Sequence, residues 1–167
     1  MPCAPVVKSN SYGHGLKLLA KEWNKYDTPF VCVDSLFEAY ELKKYGYKKE
    51  VLIMGFIDPA DIPRERKFHY ACSDISYALA VMKKYKRAKI HLFIDTGMHR
   101  EGMQIVSGES LSLLQKNIIG VMTHLSTPDN PEVSQKQINT FEKQLQQLEK
   151  HDIYPEFQHI CASGGVI

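Results

Sequence analysis

The stretch FVCVDSLFEAYELKKYG, residues 30–46, decides how the chain is built. It opens with Phe30, Val31, Cys32 and Val33, a short apolar run bounded by a polar turn, which predicts a buried strand. Ser35-Leu36-Phe37-Glu38 then fits a capping box, in which the serine and the glutamate each satisfy an amide that a helix start leaves unpaired. Gly46 stands where that helix would end on a left-handed residue. A strand, a polar turn and a capped helix in this order make one β-α unit.

Outward from this unit the alternation recurs. Strands are predicted at residues 4–7, 30–33, 51–54, 68–72, 90–94, 118–122 and 157–161, each followed by a polar turn. Asn130-Pro131 reads as a helix cap followed by proline at the first helical position, and Val133, Ile138, Phe141, Leu145 and Leu148 then recur at helical spacing as a core-facing stripe. Strands alternating with helices imply right-handed crossovers and a parallel sheet. Seven such repeats predict an α/β fold of the (β/α)8 TIM-barrel type. A complete barrel needs roughly 250 residues, and this chain has 167. The expectation is a single incomplete barrel domain over residues 1–167, with about seven of the eight strands.

Composition limits the chemistry. Twenty-one basic against 19 acidic residues give a net charge of +2, too weak a field to suggest nucleic acid as a partner. The lysine pairs 43–44, 48–49 and 83–84 read as solvated helix ends. The longest mainly apolar run, residues 51–57, is far below membrane-spanning length, and residues 1–7 lack the pattern of a secretory leader, so no membrane partner and a cytoplasmic location are expected. Cys3, Cys32, Cys72 and Cys161 are widely spaced and fall in or beside strands, which predicts buried free thiols and no metal centre or disulfide framework.

In barrels of this type, chemistry sits at the C-terminal ends of strands. Lys8 ends the first predicted strand, Asp95-Thr96-Gly97 follows the fifth, Thr123-His124 the sixth and Ala162-Ser163-Gly164-Gly165 the seventh. A lysine ending a buried strand must neutralise its amine, find an anion or form a covalent bond, since an unpaired buried ammonium is costly. The glycines at 164 and 165 would admit an anion close to the backbone or mark only a turn.

Three segments carry a resemblance to a known family. VVKSNSYGHG, residues 6–15, resembles the V-V-K-A-N-A-Y-G-H-G lysine motif of bacterial alanine racemases at eight of ten positions. DTGMHREGM, residues 95–103, is similar to the family's D-T-G-M-x-R-x-G-F. GVMTHL, residues 120–125, with Asp129 nearby, is similar to G-x-M-T-H-F followed by an aspartate. The order and spacing agree along almost the whole chain.

That resemblance implies pyridoxal 5′-phosphate as cofactor, attached at Lys8, and interconversion of L-alanine and D-alanine for cell-wall precursors. It implies that Lys8 is the acid/base on one face of the substrate carbon. Tyr12 and Ser163 would contact the cofactor phosphate, His124 would lie beside the pyridine ring and Arg100 would bind near the substrate carboxylate. In the family the second acid/base is a tyrosine from a C-terminal β domain of the partner subunit in a homodimer. No counterpart of that domain stands in these 167 residues, which are therefore expected to be inactive alone. The sequence also departs from the pattern. Phe93 replaces a lysine that becomes carbamylated and supports the arginine in many members, Leu125 replaces an aromatic, and Ala162 replaces asparagine ahead of Ser163. Two other readings remain open at this point: a non-catalytic pyridoxal-phosphate-binding barrel, and a racemase or decarboxylase of the same barrel type with another amino-acid substrate.

Overall fold

The computed structural model describes residues 3–104 and 110–160. The chain divides into two compact units, Met1–Ala71 and Cys72–Ile167.

The first unit contains the 30–46 stretch. β1 (Phe30–Val33) leads into α3 (Leu36–Lys44), preceded by the short elements α1 (Lys8–Tyr12) and α2 (Leu16–Glu22). β2 (Glu50–Ile53) and β3 (Phe68–Cys72) follow. The strands are parallel, with Phe30 opposite Glu50, Val33 opposite Ile53, and Leu52 opposite His69. All four residues of β1 and all five of β3 are buried. That is why β1 reads as a continuous apolar run rather than an alternating one: a parallel sheet is covered on both faces. The capping box forms as expected. The Ser35 side chain accepts from the Glu38 amide, the Glu38 carboxylate accepts from the Ser35 amide, and Gly46 takes φ 90° past the helix end.

The second unit repeats the plan with α4 (Ile75–Lys84), β4 (Lys89–Phe93), α5 (Leu111–Leu114), β5 (Ile118–Thr123), α6 (Pro131–Glu149) and β6 (Phe157–Ile160). Its strands are again parallel. β4 and β5 slip by one residue between Ile90 and His91, so that His91 faces Gly120. A Cβ at Gly120 would sit 2.2 Å from the His91 ring, so only glycine leaves room for this wholly buried imidazole. The ring also stacks on Phe157 and lies 2.8 Å from the His159 ring nitrogen.

The structure corrects four expectations. Residues 4–7 do not form a strand: only Val6 makes a single parallel bridge, to Cys32, because the chain turns away immediately after Val7. Six strands, not seven, therefore lie among the described residues. On α6 the buried face carries Ser134, Gln137, Phe141 and Leu148, while Val133, Ile138 and Leu145 are only half-buried. The helix thus turns two polar side chains inward. Cys3 is exposed, whereas Cys32 and Cys72 are buried as expected. Burial pushes the Cys32 thiol up to about 12. Cys161 lies outside the described residues.

Candidate active site

Lys8 begins a turn that breaks the ordinary rules of backbone conformation. Ser9, Asn10, Ser11 and Tyr12 take φ values of 52°, 53°, 56° and 51°, so four successive non-glycine residues are left-handed. Each costs roughly 1–2 kcal/mol against the right-handed form, and such strain persists only where the surroundings over-determine it. Here they do. Val7, 2% exposed, donates to the Cys32 carbonyl at 2.8 Å and anchors the turn's start to β1. The Ser11 amide and hydroxyl both donate to the Val7 carbonyl. The Asn10 side chain accepts from the Leu16 amide at 2.8 Å, tying the turn's far end to α2. The Ser9 amide donates to Glu38 at 2.6 Å.

Lys8 and Tyr12, both predicted site residues, therefore ride on one rigid turn. The Lys8 side chain is one-third exposed and its Nζ lies 3.5 Å from Asp34 Oδ1, while Tyr12 is largely exposed. The carboxylate of Asp34 gives this amine an anion. Exposed ion pairs of this kind contribute little stability.

In the second unit, Arg100 and His124 line one pocket together with Phe93, Asp95, Met98 and Thr123. Their loops are held by a polar network. Asp95 Oδ1 accepts from the amides of Gly97, Met98 and His99, each at 3.0 Å, and its Oδ2 lies 3.2 Å from the His99 ring. Burial works against the charge of this carboxylate, but the amides of His99, Gly97 and Met98, together with the His99 ring, outweigh it and hold Asp95 below the ordinary aspartate value. The loop then folds back along its own strand, with the Asp95 amide donating to the Met103 carbonyl and the Met103 amide donating to the Phe93 carbonyl, each at 2.9 Å. A side chain at Gly102 would meet the Asp95 amide at 2.8 Å, and its φ of 103° favours glycine as well.

Gln137, only 3% exposed on α6, joins this loop to the next. Its amide nitrogen donates to Thr96 Oγ1 and to the His124 carbonyl, and its oxygen accepts from the Ser126 amide and hydroxyl. Thr123 Oγ1 reaches the Ile94 carbonyl at 2.7 Å and Thr96 Oγ1 at 2.9 Å. Arg100 binds to its neighbour: Nε and an Nη both donate to Glu101 Oε1, at 3.1 and 2.9 Å. Ser163 lies outside the described residues.

Sequence reasoning missed Asp34 and Gln137 and saw Glu38 only as a cap. A polar residue at the spacing of the α6 core face, three after Ser134 and four before Phe141, was the available signal for Gln137. Nothing local marks Asp34.

The model of the alanine racemase N-terminal domain matches residues 1–167. The chain belongs to that family. Among relatives of this racemase domain, alanine racemase 2 of Caldanaerobacter subterraneus subsp. tengcongensis is 31% identical, covering 96% of this chain and 45% of the relative. The serine/alanine racemase of Enterococcus gallinarum is 33% identical, covering 97% of this chain and 25% of the relative. The solved alanine racemase of Clostridium difficile 630 in complex with cycloserine superposes with a TM-score of 0.88 at 25% identity, over 98% of this chain and 49% of that one. The racemase-domain chain thus spans half or less of these relatives' length. The superposition assigns the α/β fold class as an incomplete TIM-type barrel, as the strand-helix alternation predicts.

Proposed function

We propose that this chain carries the catalytic lysine of a pyridoxal-phosphate-dependent alanine racemase that interconverts L- and D-alanine in the cytoplasm. The observation that carries this reading is the Lys8 turn. A primary amine, one-third exposed, is presented by four left-handed residues inside the motif that resembles the family's lysine segment.

The residues fit the group. Lys8 offers an amine for an aldehyde, Tyr12 an exposed phenol for a phosphate oxygen, and Arg100 a half-exposed guanidinium whose planar fork matches a carboxylate. When bound, pyridoxal phosphate supplies an electron sink that lowers the cost of removing the proton from the substrate carbon. Lys8 Nζ holds or moves that proton on one face. Arg100 would orient the substrate carboxylate, His124 would lie beside the pyridine ring, and Tyr12 and Ser163 would bind phosphate. The second-face acid/base belongs to a protein in which these residues are joined to the rest of a racemase, acting as a homodimer. General acid/base groups contribute roughly 10² to 10⁴ each in rate, so the 167 residues alone are expected to turn over poorly. Likeness to the serine/alanine racemase favours a second reading of the substrate, in which serine is accepted beside alanine.

Incubation with pyridoxal phosphate, borohydride reduction and peptide mapping tests the attachment. The pyridoxyl group is expected on Lys8 and absent from it in Lys8→Ala. Label spread evenly over surface lysines, and unaltered in that variant, would overturn the reading.

A further inference from the structure

We propose that Glu38 is a positioning residue for Lys8, a role that rests on the reading of Lys8 as the cofactor lysine. A capping-box glutamate has one task, to reach back to the amides at its own helix start. Glu38 does this with Oε2, which accepts from Ser35 at 3.2 Å and from Asp34 at 2.8 Å. Its other oxygen does something that capping does not require. Oε1 accepts from the amide of Ser9, 29 residues upstream, at 2.6 Å.

One carboxylate therefore gathers three backbone N–H groups from two chain segments. One segment carries Lys8 directly before Ser9. The other carries Asp34, whose Oδ1 lies 3.5 Å from Lys8 Nζ. Asp34 is pinned from its other side too, since its carbonyl accepts from Gly55 at 3.0 Å and a Cβ at Gly55 would stand 2.1 Å from that oxygen. Hydrogen bonds to an ionised acceptor are the strong ones, and Ser9 is the first of the left-handed residues. Glu38 thus fixes where the turn departs from Val7, and with it the direction of the Lys8 side chain and its distance from Asp34.

Ser35 provides the control. Its hydroxyl accepts from the Glu38 amide at 3.2 Å, so Ser35→Ala removes half of the same cap without touching Ser9. In the whole protein, three variants are compared with wild type: Ser35→Ala, Glu38→Ala and Glu38→Gln. The last keeps length but replaces one acceptor oxygen by a donor. Two quantities are read: the rate of borohydride-trapped pyridoxyl labelling at Lys8 relative to other lysines in the same digest, and hydrogen exchange of the Ser9 amide.

Both Glu38 variants are expected to slow labelling of Lys8 by about tenfold, the factor that accompanies losing one good hydrogen bond to a charge, and to raise Ser9 exchange similarly. Ser35→Ala is expected to leave both near wild type. Should Glu38→Ala misfold, Glu38→Gln against Ser35→Ala decides. Labelling and exchange equal in the Glu38 and Ser35 variants would overturn the inference while leaving the cofactor reading intact. Failure of wild type to label at Lys8 would overturn the cofactor reading and the inference with it.

Discussion

Two carboxylates in this chain do the same physical work over very different reach. Asp95 collects the amides of Gly97, Met98 and His99, all within four residues of itself. Glu38 collects the amides of Asp34 and Ser35 nearby and of Ser9 from 29 residues away. The Asp95 loop closes on itself and then rests on a buried polar network through Gln137 and Thr123. The Lys8 turn is an open, strained piece of backbone whose bonds run outward to β1, α2 and α3. The difference teaches how each site is built to behave. The arginine loop derives its order from local geometry and burial, whereas the lysine turn derives its order from segments that fold elsewhere.

The largest effect is expected beneath the buried side of this contrast. Gly120→Ala drives a methyl group into the His91 ring, which is wholly buried, stacked on Phe157 and bonded to His159, and so has nowhere to move. Overpacking of this kind costs about 3 kcal/mol, measurable as a lowered midpoint in urea. A variant as stable as wild type would show that β5 yields and that burial is not what supports the loops after β4 and β5.

Asp95→Ala is expected to cost less, about 2 kcal/mol, through three amides that lose a charged acceptor. The same carboxylate sets a pH dependence with a definite sign. Its folded value lies below the ordinary 3.8, so the unfolded chain binds its proton first as pH falls. Its contribution is full above about pH 5 and is lost as pH drops through the folded value. Asp95→Asn should therefore flatten the acid limb of the stability curve in chemical denaturation. An unchanged limb would remove Asp95 from the comparison as an anchor.

The smallest effect belongs to Ser35→Ala, at about 1 kcal/mol for a lost helix cap. Read by thermal unfolding, it sharpens the contrast from the other side. A cap worth as much as Asp95 would mean that the two carboxylate sites are anchored alike after all.

Much of the fold is legible in the chain because its signals are local. The runs at 30–33 and 68–72 coincide with β1 and β3, and the other strands shift by only a residue. The Ser35–Glu38 box, the Asn130 cap with Pro131 behind it, and Gly46 at positive φ all form as the spacing requires. Such features depend on atoms within four residues of each other, so the sequence states them outright. The first strand fails for a related reason. Residues 4–7 have the composition of a strand, but the turn that follows leaves only Val6 in register with β1.

By itself, then, the sequence determined the β-α rhythm, the caps and the positions of Lys8, Arg100 and His124 in motifs that resemble one family. The tertiary structure alone decided that Ser9 to Tyr12 turn left-handed, that Glu38 holds the Ser9 amide, and that Gln137 enters the interior between two loops. The physical reason is reach. A short period or a cap is written by neighbouring residues. A strained turn or a buried amide is stable only because groups 29 or 41 residues away arrive within 3.1 Å of it, and their arrival is a property of the packed fold.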